Sequence, residues 1–145
     1  MRFMAIVKAN KDSEAGALPS KELLAAMGKF SEEMVKAGVL LAAEGLQPSS
    51  KGARIKFSGA TRQVIDGPFT ESKELVGGFW LLQVKSKEEA IEWIKRSPNP
   101  FEGESEIEIR QVFEASDFPA EIFPPEDAAR EQQLRDELQR KAAKP

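Results

Sequence analysis

The chain has 145 residues, of which 41% are hydrophobic and 31% charged, and its formal net charge is −3. This length is enough for one hydrophobic core. The sequence contains no histidine, cysteine or tyrosine, which excludes histidine-based proton transfer, thiolate chemistry and disulfides.

The basic residues are scattered among acidic ones and form no stripe. Direct nucleic-acid binding is therefore not expected. No apolar run approaches the roughly 20 residues of a membrane-spanning helix, and the N-terminus shows no signal-peptide pattern. We expect a cytoplasmic protein without membrane contact.

The first half of the chain predicts strand, helix and strand. Arg2–Lys8 is apolar on both faces, as in a central strand. After a polar loop over Asn10–Leu18, Ser20 caps a helix that ends near Gly38. Its apolar face is predicted from residues at helical spacing: Leu23, Leu24, Met27, Phe30, Met34 and Val35. Val39–Leu46 then predicts a strand in which a run of small apolar residues is followed by an unexpected carboxylate, Glu44.

A hairpin around Gly59 leads into the turn Asp66-Gly67-Pro68-Phe69, which is followed by further charged residues. The Gly77-Gly78 pair, before a strand at Phe79–Val84, indicates close backbone passage. Ser86 and Glu89 form a capping box at the start of the next helix. Strict alternation over Glu106–Phe113 predicts a last strand with one polar face.

This order of elements matches the split βαβ plan of the α+β ferredoxin-like folds, in which two helices cover one face of a sheet. A second copy would cover the open face, so we expect a homodimer with polar pockets between or beside the sheets. We predict one domain over residues 1–118 and a C-terminal extension over residues 119–145. The extension predicts a helix from its acidic start and basic end, either packed on a partner subunit or solvated.

The candidate catalytic residues are Asp66 and Glu44, an acid–base pair if the fold brings them together. Asp66 is also a good turn former, and its structural interpretation stays open. Arg110 could bind a substrate carboxylate or form an ion pair with Glu44 across the sheet.

Three residues of the charged turn complete the ligand-contact set with Arg110: Phe69, Glu71 and Lys73. Lys73 has a simpler alternative as a solvated partner of Glu71. No metal or cofactor is expected, because the acidic residues do not follow calcium-loop spacing.

The region from Met1 to Phe118 resembles the DGPF-domain branch of the YCII-related family. The resemblance rests on the joint spacing of four segments: Leu46-Gln47-Pro48, Asp66–Phe69 with Glu71 and Lys73-Glu74, Gly77-Gly78, and Glu106–Arg110. It implies a mostly bacterial protein whose ferredoxin-like domains form dimeric α/β barrels. Some YCII-related members resemble lactone-processing enzymes with a His-Asp pair, which this histidine-free chain does not carry. DGPF genes also often neighbour genes of extracytoplasmic-function sigma factors.

Three functional hypotheses follow. The first is a protein that binds a small polar or anionic ligand in a cleft at the open sheet face of a homodimer, with acid–base activity of the lyase or isomerase type. The second is a non-enzymatic accessory protein in sigma-factor-linked transcriptional regulation, acting through a regulatory protein partner. The third is a purely structural dimer domain.

Overall fold

A computed structural model describes residues 1–143 of the chain. The strands are β1 (Arg2–Lys8), β2 (Leu40–Gly45), β3 (Ala53–Ser58), β4 (Thr61–Asp66), β5 (Val76–Gln83) and β6 (Ile107–Gln111). The α-helices are α1 (Lys11–Glu14), α2 (Lys21–Lys36), α3 (Lys87–Lys95) and α4 (Pro125–Ala142). Short 3-10 turns lie at Ser49–Lys51, Ser72–Glu74 and Ala115–Asp117.

The chain divides into two compact units, residues 1–112 and residues 113–145. From sequence, the boundary is predicted after Phe118 rather than after Val112. The second unit contains α4, which begins at Pro125 with acidic residues in its first turn and basic residues in its last. This charge order suits the helix dipole.

The four-stranded sheet of the first unit has the order β2-β5-β1-β6, and all neighbours are antiparallel. Ala5 at the centre of β1 lies opposite Trp80 on β5 and Ile109 on β6. This order, with α2 and α3 as the connecting helices, confirms the ferredoxin-like α+β fold. Strands β3 and β4 pair only with each other and form a separate hairpin.

The core lies between the sheet and the two long helices of this unit. Alternate residues of β1 are buried against them: Phe3, Ala5 and Val7. Phe30 of α2 meets the Trp80 ring edge-on at 5.9 Å between centroids, a favourable aromatic geometry. Leu24 and Val35 are 58% and 62% exposed, so the buried stripe of α2 is narrower than the sequence predicts.

On the opposite face of the sheet, no described side chain of β1 is fully buried. Its side chains there are half-buried: Arg2, Met4, Ile6 and Lys8. This apolar and charged surface is where the sequence predicts a second copy of the chain, and the homodimer stays a prediction.

One predicted loop contains a helix. Residues Lys11–Glu14 form α1, inside the stretch predicted as a loop between Asn10 and Leu18. Asn10 Oδ1 accepts from the Ser13 N–H at 2.8 Å, and Ser13 Oγ accepts from the Asn10 N–H at 3.0 Å. This reciprocal capping satisfies the backbone donors at the helix start. The signal was present in the sequence, with Ser13 in the place usually held by Glu or Gln.

Between residues 1 and 143, no helix combines the length and the apolarity needed to cross a membrane.

Candidate ligand-binding cleft

A cleft of about 840 Å³ lies in the first unit, between the first three turns of α2, the segment around α1, and the ends of β2 and β5. Its apolar lining includes buried Trp80 and half-buried Leu23, Met27 and Phe101. Three leucines that line it are strongly exposed: Leu18 at 88%, Leu24 at 58% and Leu46 at 51%. The cleft is therefore apolar and open to solvent on one side.

The glycine pair at the start of β5 brings strands together at the cleft. A Cβ atom on Gly78 would lie 2.9 Å from the Glu44 carbonyl oxygen, and one on Gly77 would lie 3.5 Å from the Ala9 Cα atom. A side chain at Gly78 would push β5 away from β2. The predicted close backbone passage at Gly77-Gly78 is confirmed, and both glycines line the cleft.

The charges that line the cleft are all negative. Three carboxylates contribute to the lining, namely Asp12, Glu44 and Glu102, and none of the described lining residues is lysine or arginine. These carboxylates do not converge on a point, since no cluster that could hold a metal ion exists within residues 1–143. Carboxylates without a cation beside them attract positive charge and hydrogen-bond donors, and they repel anions.

Glu44 is the one member of the predicted site that lines this cleft. It is exposed near the end of β2, where it lies opposite Phe79 of β5. Asp12 and Glu102, the other two carboxylates, are absent from the residues singled out in the sequence. Both lie outside regular strands, and no sequence pattern indicates that their segments meet.

Asp66 lies elsewhere. It is the last residue of β4, exposed and opposite Ala53, and it does not line the cleft. In the described part of the chain, no hydrogen bond or ion pair joins it to Glu44. The structure thus does not bring the two predicted catalytic carboxylates together.

The turn after Asp66 is anchored to the rest of the unit through Ser49. The peptide bond between Gly67 and Pro68 is cis, and the next residue, Phe69, donates its N–H to Ser49 Oγ at 3.0 Å. Ser49 in turn donates its N–H to Glu14 Oε1 at 3.1 Å and its hydroxyl to Glu14 Oε2. These bonds anchor the turn to the segment that leads into the hairpin, and the role of Asp66 itself stays a prediction.

Arg110 lies on the same sheet face as Glu44 but at the opposite edge. Glu44 lies beside Phe79, Phe79 beside Ile6, and Ile6 beside Glu108. Three strand spacings of nearly 5 Å separate the two edges by about 14 Å. Arg110 Nε instead lies 3.9 Å from Glu108 Oε2. The predicted cross-sheet pair with Glu44 is therefore not formed, because β2 and β6 are the two outer strands.

The other predicted ligand contacts also lie outside the cleft. The ring of half-buried Phe69 lies under the Arg54 guanidinium, with the Arg54 Cζ atom 3.8 Å from the ring centroid. Glu71 and Lys73 are exposed at the 3-10 turn that follows. Of the six predicted site residues, Glu44 alone lines this cleft.

Two known proteins are similar to this chain. An uncharacterized protein of Rhizobium meliloti (strain 1021) is 26% identical over 121 residues, which cover 80% of this chain and 98% of that protein. A solved structure of 5-chloro-2-hydroxyhydroquinone dehydrochlorinase from Burkholderia phenoliruptrix AC1100, in complex with 2,5-dihydroxybenzoquinone, aligns with a TM-score of 0.44 and 14% identity. That alignment covers 82% of this chain and all of the other chain. Nothing about what this chain binds follows from it.

The family comparison covers most of the chain. The model of the YCII-related domain matches residues 1–116, which include the whole four-stranded sheet, the hairpin and every residue that lines the cleft. The chain belongs to the YCII-related family.

Proposed function

We propose that this protein binds a small organic ligand in the cleft, one with an apolar body and a group that is positively charged or donates hydrogen bonds. The observation that carries the proposal is the lining itself, in which apolar side chains surround three carboxylates and no described residue supplies a cation. The volume of about 840 Å³ is within the range of clefts that hold metabolite-sized ligands.

The proposed ligand is not the anionic ligand that was one alternative predicted from the sequence. An anionic ligand was predicted with Arg110 as its partner, and Arg110 does not line the cleft. An anion would meet Asp12, Glu44 and Glu102 without a compensating charge. The polar alternative remains, and a protonated amine or a neutral donor fits the lining best.

Of the two predicted catalytic carboxylates, Glu44 alone lines this cleft. The predicted two-carboxylate mechanism requires Asp66 within reach of the same ligand, and Asp66 lies on the hairpin. We therefore propose binding as the function and keep lyase or isomerase activity as a hypothesis about Glu44. Membership of the DGPF branch stays a prediction from the motif.

The test compares three probes that share a phenyl body: phenethylamine, phenethyl alcohol and phenylpropionate. A ligand that binds only the folded state raises the melting temperature. We expect the amine to raise it most, the alcohol less, and the carboxylate least. A carboxylate probe that stabilises the protein as well as the amine does, or three probes without any effect, would refute the proposed ligand class.

Two matched variants locate the site. Glu44→Gln keeps the size of a lining side chain and removes its charge, and we expect it to weaken amine binding about tenfold. Glu71→Gln makes the same change at an exposed residue outside the cleft and should leave binding unchanged. The reverse result would place the ligand at the charged turn and refute the cleft as the binding site.

A further inference from the structure

The Asp-Gly-Pro-Phe turn (residues 66–69) lies outside the cleft, since none of its residues is among the described residues that line it. Direct contact with a ligand in the cleft therefore does not explain why the turn is closely packed. Its hydrogen bonds lead instead to the segment that follows Pro48, a residue that does line the cleft. The turn is thus connected to the wall of the cleft without being part of it.

Two stretches of the cleft lining are joined next to the turn. One is α1, with the lining residues Asp12 and Ser13, and the other is the chain that leaves β2, with the lining residues 46–48. Each stretch is followed directly by a residue outside the lining, namely Glu14 in the first and Ser49 in the second. These two residues are hydrogen-bonded to each other, so the two parts of the wall meet at this point.

A single carboxylate forms the connection between the two stretches. Ser49 donates its N–H to Glu14 Oε1 at 3.1 Å and its hydroxyl to Glu14 Oε2. We call these two bonds the Glu14–Ser49 tie. Both residues are half-buried, which limits competition from water, and hydrogen bonds to a charged acceptor are stronger than neutral ones. The tie is therefore well suited to fix the distance between α1 and the chain that leaves β2.

The turn holds Ser49 from the side away from the cleft. The Ser49 hydroxyl oxygen accepts the Phe69 N–H at 3.0 Å. The Ser49 carbonyl accepts the Gly52 N–H at 2.9 Å, and the Gly52 carbonyl accepts the Gly67 N–H at 3.0 Å. The N–H, the hydroxyl and the carbonyl of Ser49 are thus all engaged. A displacement of the turn would move Ser49 and, through Glu14, α1.

Helix α1 depends on such support because it is short. It has four residues, none of them buried, and a single helical turn is far below the length at which an isolated helix is stable in water. It nevertheless supplies Asp12, one of the three carboxylates that line the cleft. The Ala9 N–H, bonded to the Leu75 carbonyl at 2.8 Å, fixes the chain before α1. The bonds between Glu14 and Ser49 fix its end.

We propose that Glu14 and Ser49 are positioning residues of the cleft, and that the Asp-Gly-Pro-Phe turn braces them from outside. The tie holds α1, and with it the Asp12 carboxylate, against residues 46–48. The turn in turn prevents Ser49 from moving away from Glu14. The effect on ligand binding rests on the proposed function, whereas the brace itself is measurable without a ligand.

The first experiment needs no ligand and follows hydrogen exchange at the Ala15 and Ala17 amides. These amides donate to the Lys11 and Asp12 carbonyls, so their exchange reports the opening of the α1 segment. Ser49→Ala removes the hydroxyl that joins the tie to the turn, and we expect exchange at both amides to become about tenfold faster. Glu14→Ala cuts the same tie from the other side and should act alike.

Two further variants of the full chain serve as controls. Ser49→Thr keeps the hydroxyl and should restore slow exchange at the α1 amides. Ser50→Ala makes the same chemical change as Ser49→Ala one position along, at an exposed residue outside the lining, and should leave exchange at these amides unchanged. Faster exchange of α1 in Ser50→Ala to the same extent would show a general loosening of the segment and overturn the brace.

The second experiment measures phenethylamine binding by titration calorimetry at a temperature at which every variant is folded. We expect Ser49→Ala to weaken binding about tenfold, within the usual range of coupling between separate sites. Because such coupling is reciprocal, saturating phenethylamine should slow exchange at the Phe69 amide of the wild type, although Phe69 does not line the cleft. This slowing should disappear in Glu14→Ala, which leaves the bond between Phe69 and Ser49 in place.

The two experiments separate this proposal from the proposed function. Exchange at α1 that is the same in Ser49→Ala, Glu14→Ala and wild type would overturn the brace. Equal phenethylamine binding by Ser49→Ala and wild type, or slowing at Phe69 that persists in Glu14→Ala, would overturn the positioning role. A wild type that does not bind phenethylamine would refute the proposed function alone, because exchange at α1 then decides whether the brace exists.

Discussion

The carbonyl oxygen of Ser49 lies only 1.8 Å from the position that a Cβ atom would take at Gly67. Neither backbone segment is free to move aside. Gly67 donates its N–H to the Gly52 carbonyl at 3.0 Å, and Ser49 is bonded to Glu14 and Phe69. The Asp-Gly-Pro-Phe turn therefore requires glycine because there is no room for a side chain at Gly67. Backbone conformation is not the reason, because the φ of Gly67 is not in the left-handed region.

Gly67→Ala should destabilise the protein strongly. Forcing a methyl group against fixed backbone should lower the free energy of unfolding by about 2 kcal/mol or more. Gly45→Ala is the matched control, because a Cβ atom there meets nothing within 4 Å. Urea unfolding followed by tryptophan fluorescence measures both variants. Equal effects of the two substitutions would contradict the close contact with Ser49.

The bonds from Glu14 through Ser49 to Phe69 should act as one unit. Removing the half-buried acceptor with Glu14→Ala leaves the Ser49 N–H unpaired, and we expect a loss of roughly 1–3 kcal/mol. The double variant with Ser49→Ala should lose less than the sum of the two single losses. Faster hydrogen exchange at the Phe69 amide would accompany either change. Asp12→Ala, on the same short helix, serves as the control, and strictly additive losses would argue against a connected network.

Leucine positions with opposite exposure test the core. Leu82 is 0% exposed between the sheet and the helices, whereas Leu41 is 49% exposed on the edge strand. Leu82→Ala creates a cavity and should reduce stability by about 2–5 kcal/mol. We expect a much smaller loss for Leu41→Ala. Thermal unfolding monitored by circular dichroism distinguishes the two, and similar melting temperatures would mean that the helices do not cover this sheet face.

Two glycines of the α2 region should respond to alanine in opposite directions. Gly28 lies inside α2 with open space around it, so Gly28→Ala should stabilise the protein by roughly 0.5–1 kcal/mol through helix propensity. Gly38 has a φ of +73°, which alanine adopts only with strain, and Gly38→Ala should destabilise it. The midpoints of denaturant unfolding measure both effects, provided that the dependence of the unfolding free energy on denaturant concentration is unchanged. A stabilising Gly38→Ala would contradict the left-handed helix end.

The fold could be predicted from sequence because its signals are local. Ser20 accepts from the Leu23 N–H and Ser86 from the Glu89 N–H, so both predicted N-cap serines are in place. The capping box predicted for Ser86 and Glu89 is only half formed, because Glu89 accepts from the Lys85 N–H. Alternation along β6 correctly separates the helix-facing isoleucines from the polar residues of the open face. Each of these features depends on residues within a few positions of one another. Helix α1 was missed, because Asn10 and Ser13 form an unusual version of a known capping pattern.

The candidate site was harder to predict because it depends on which distant segments meet. Alternation places Glu44 and Arg110 on one face of the sheet, but only the strand order shows that they lie at opposite edges. The turn after Asp66 was singled out in the sequence for its composition. In the structure, this turn is anchored by the hydrogen bond from the Phe69 N–H to Ser49 Oγ. Asp12 and Glu102 reach the cleft through connecting segments whose paths no periodic pattern encodes.

The hydrogen bond from Gly67 to Gly52 also closes the stem of the hairpin, so that residues 53–66 leave and re-enter the domain at one place. The four-stranded sheet is complete without them. Exposed segments with closely spaced ends tolerate changes in length and sequence, which makes this ribbon the natural place for members of the family to diverge. A change in the length of this ribbon would leave the strand pairing of the four-stranded sheet as it is.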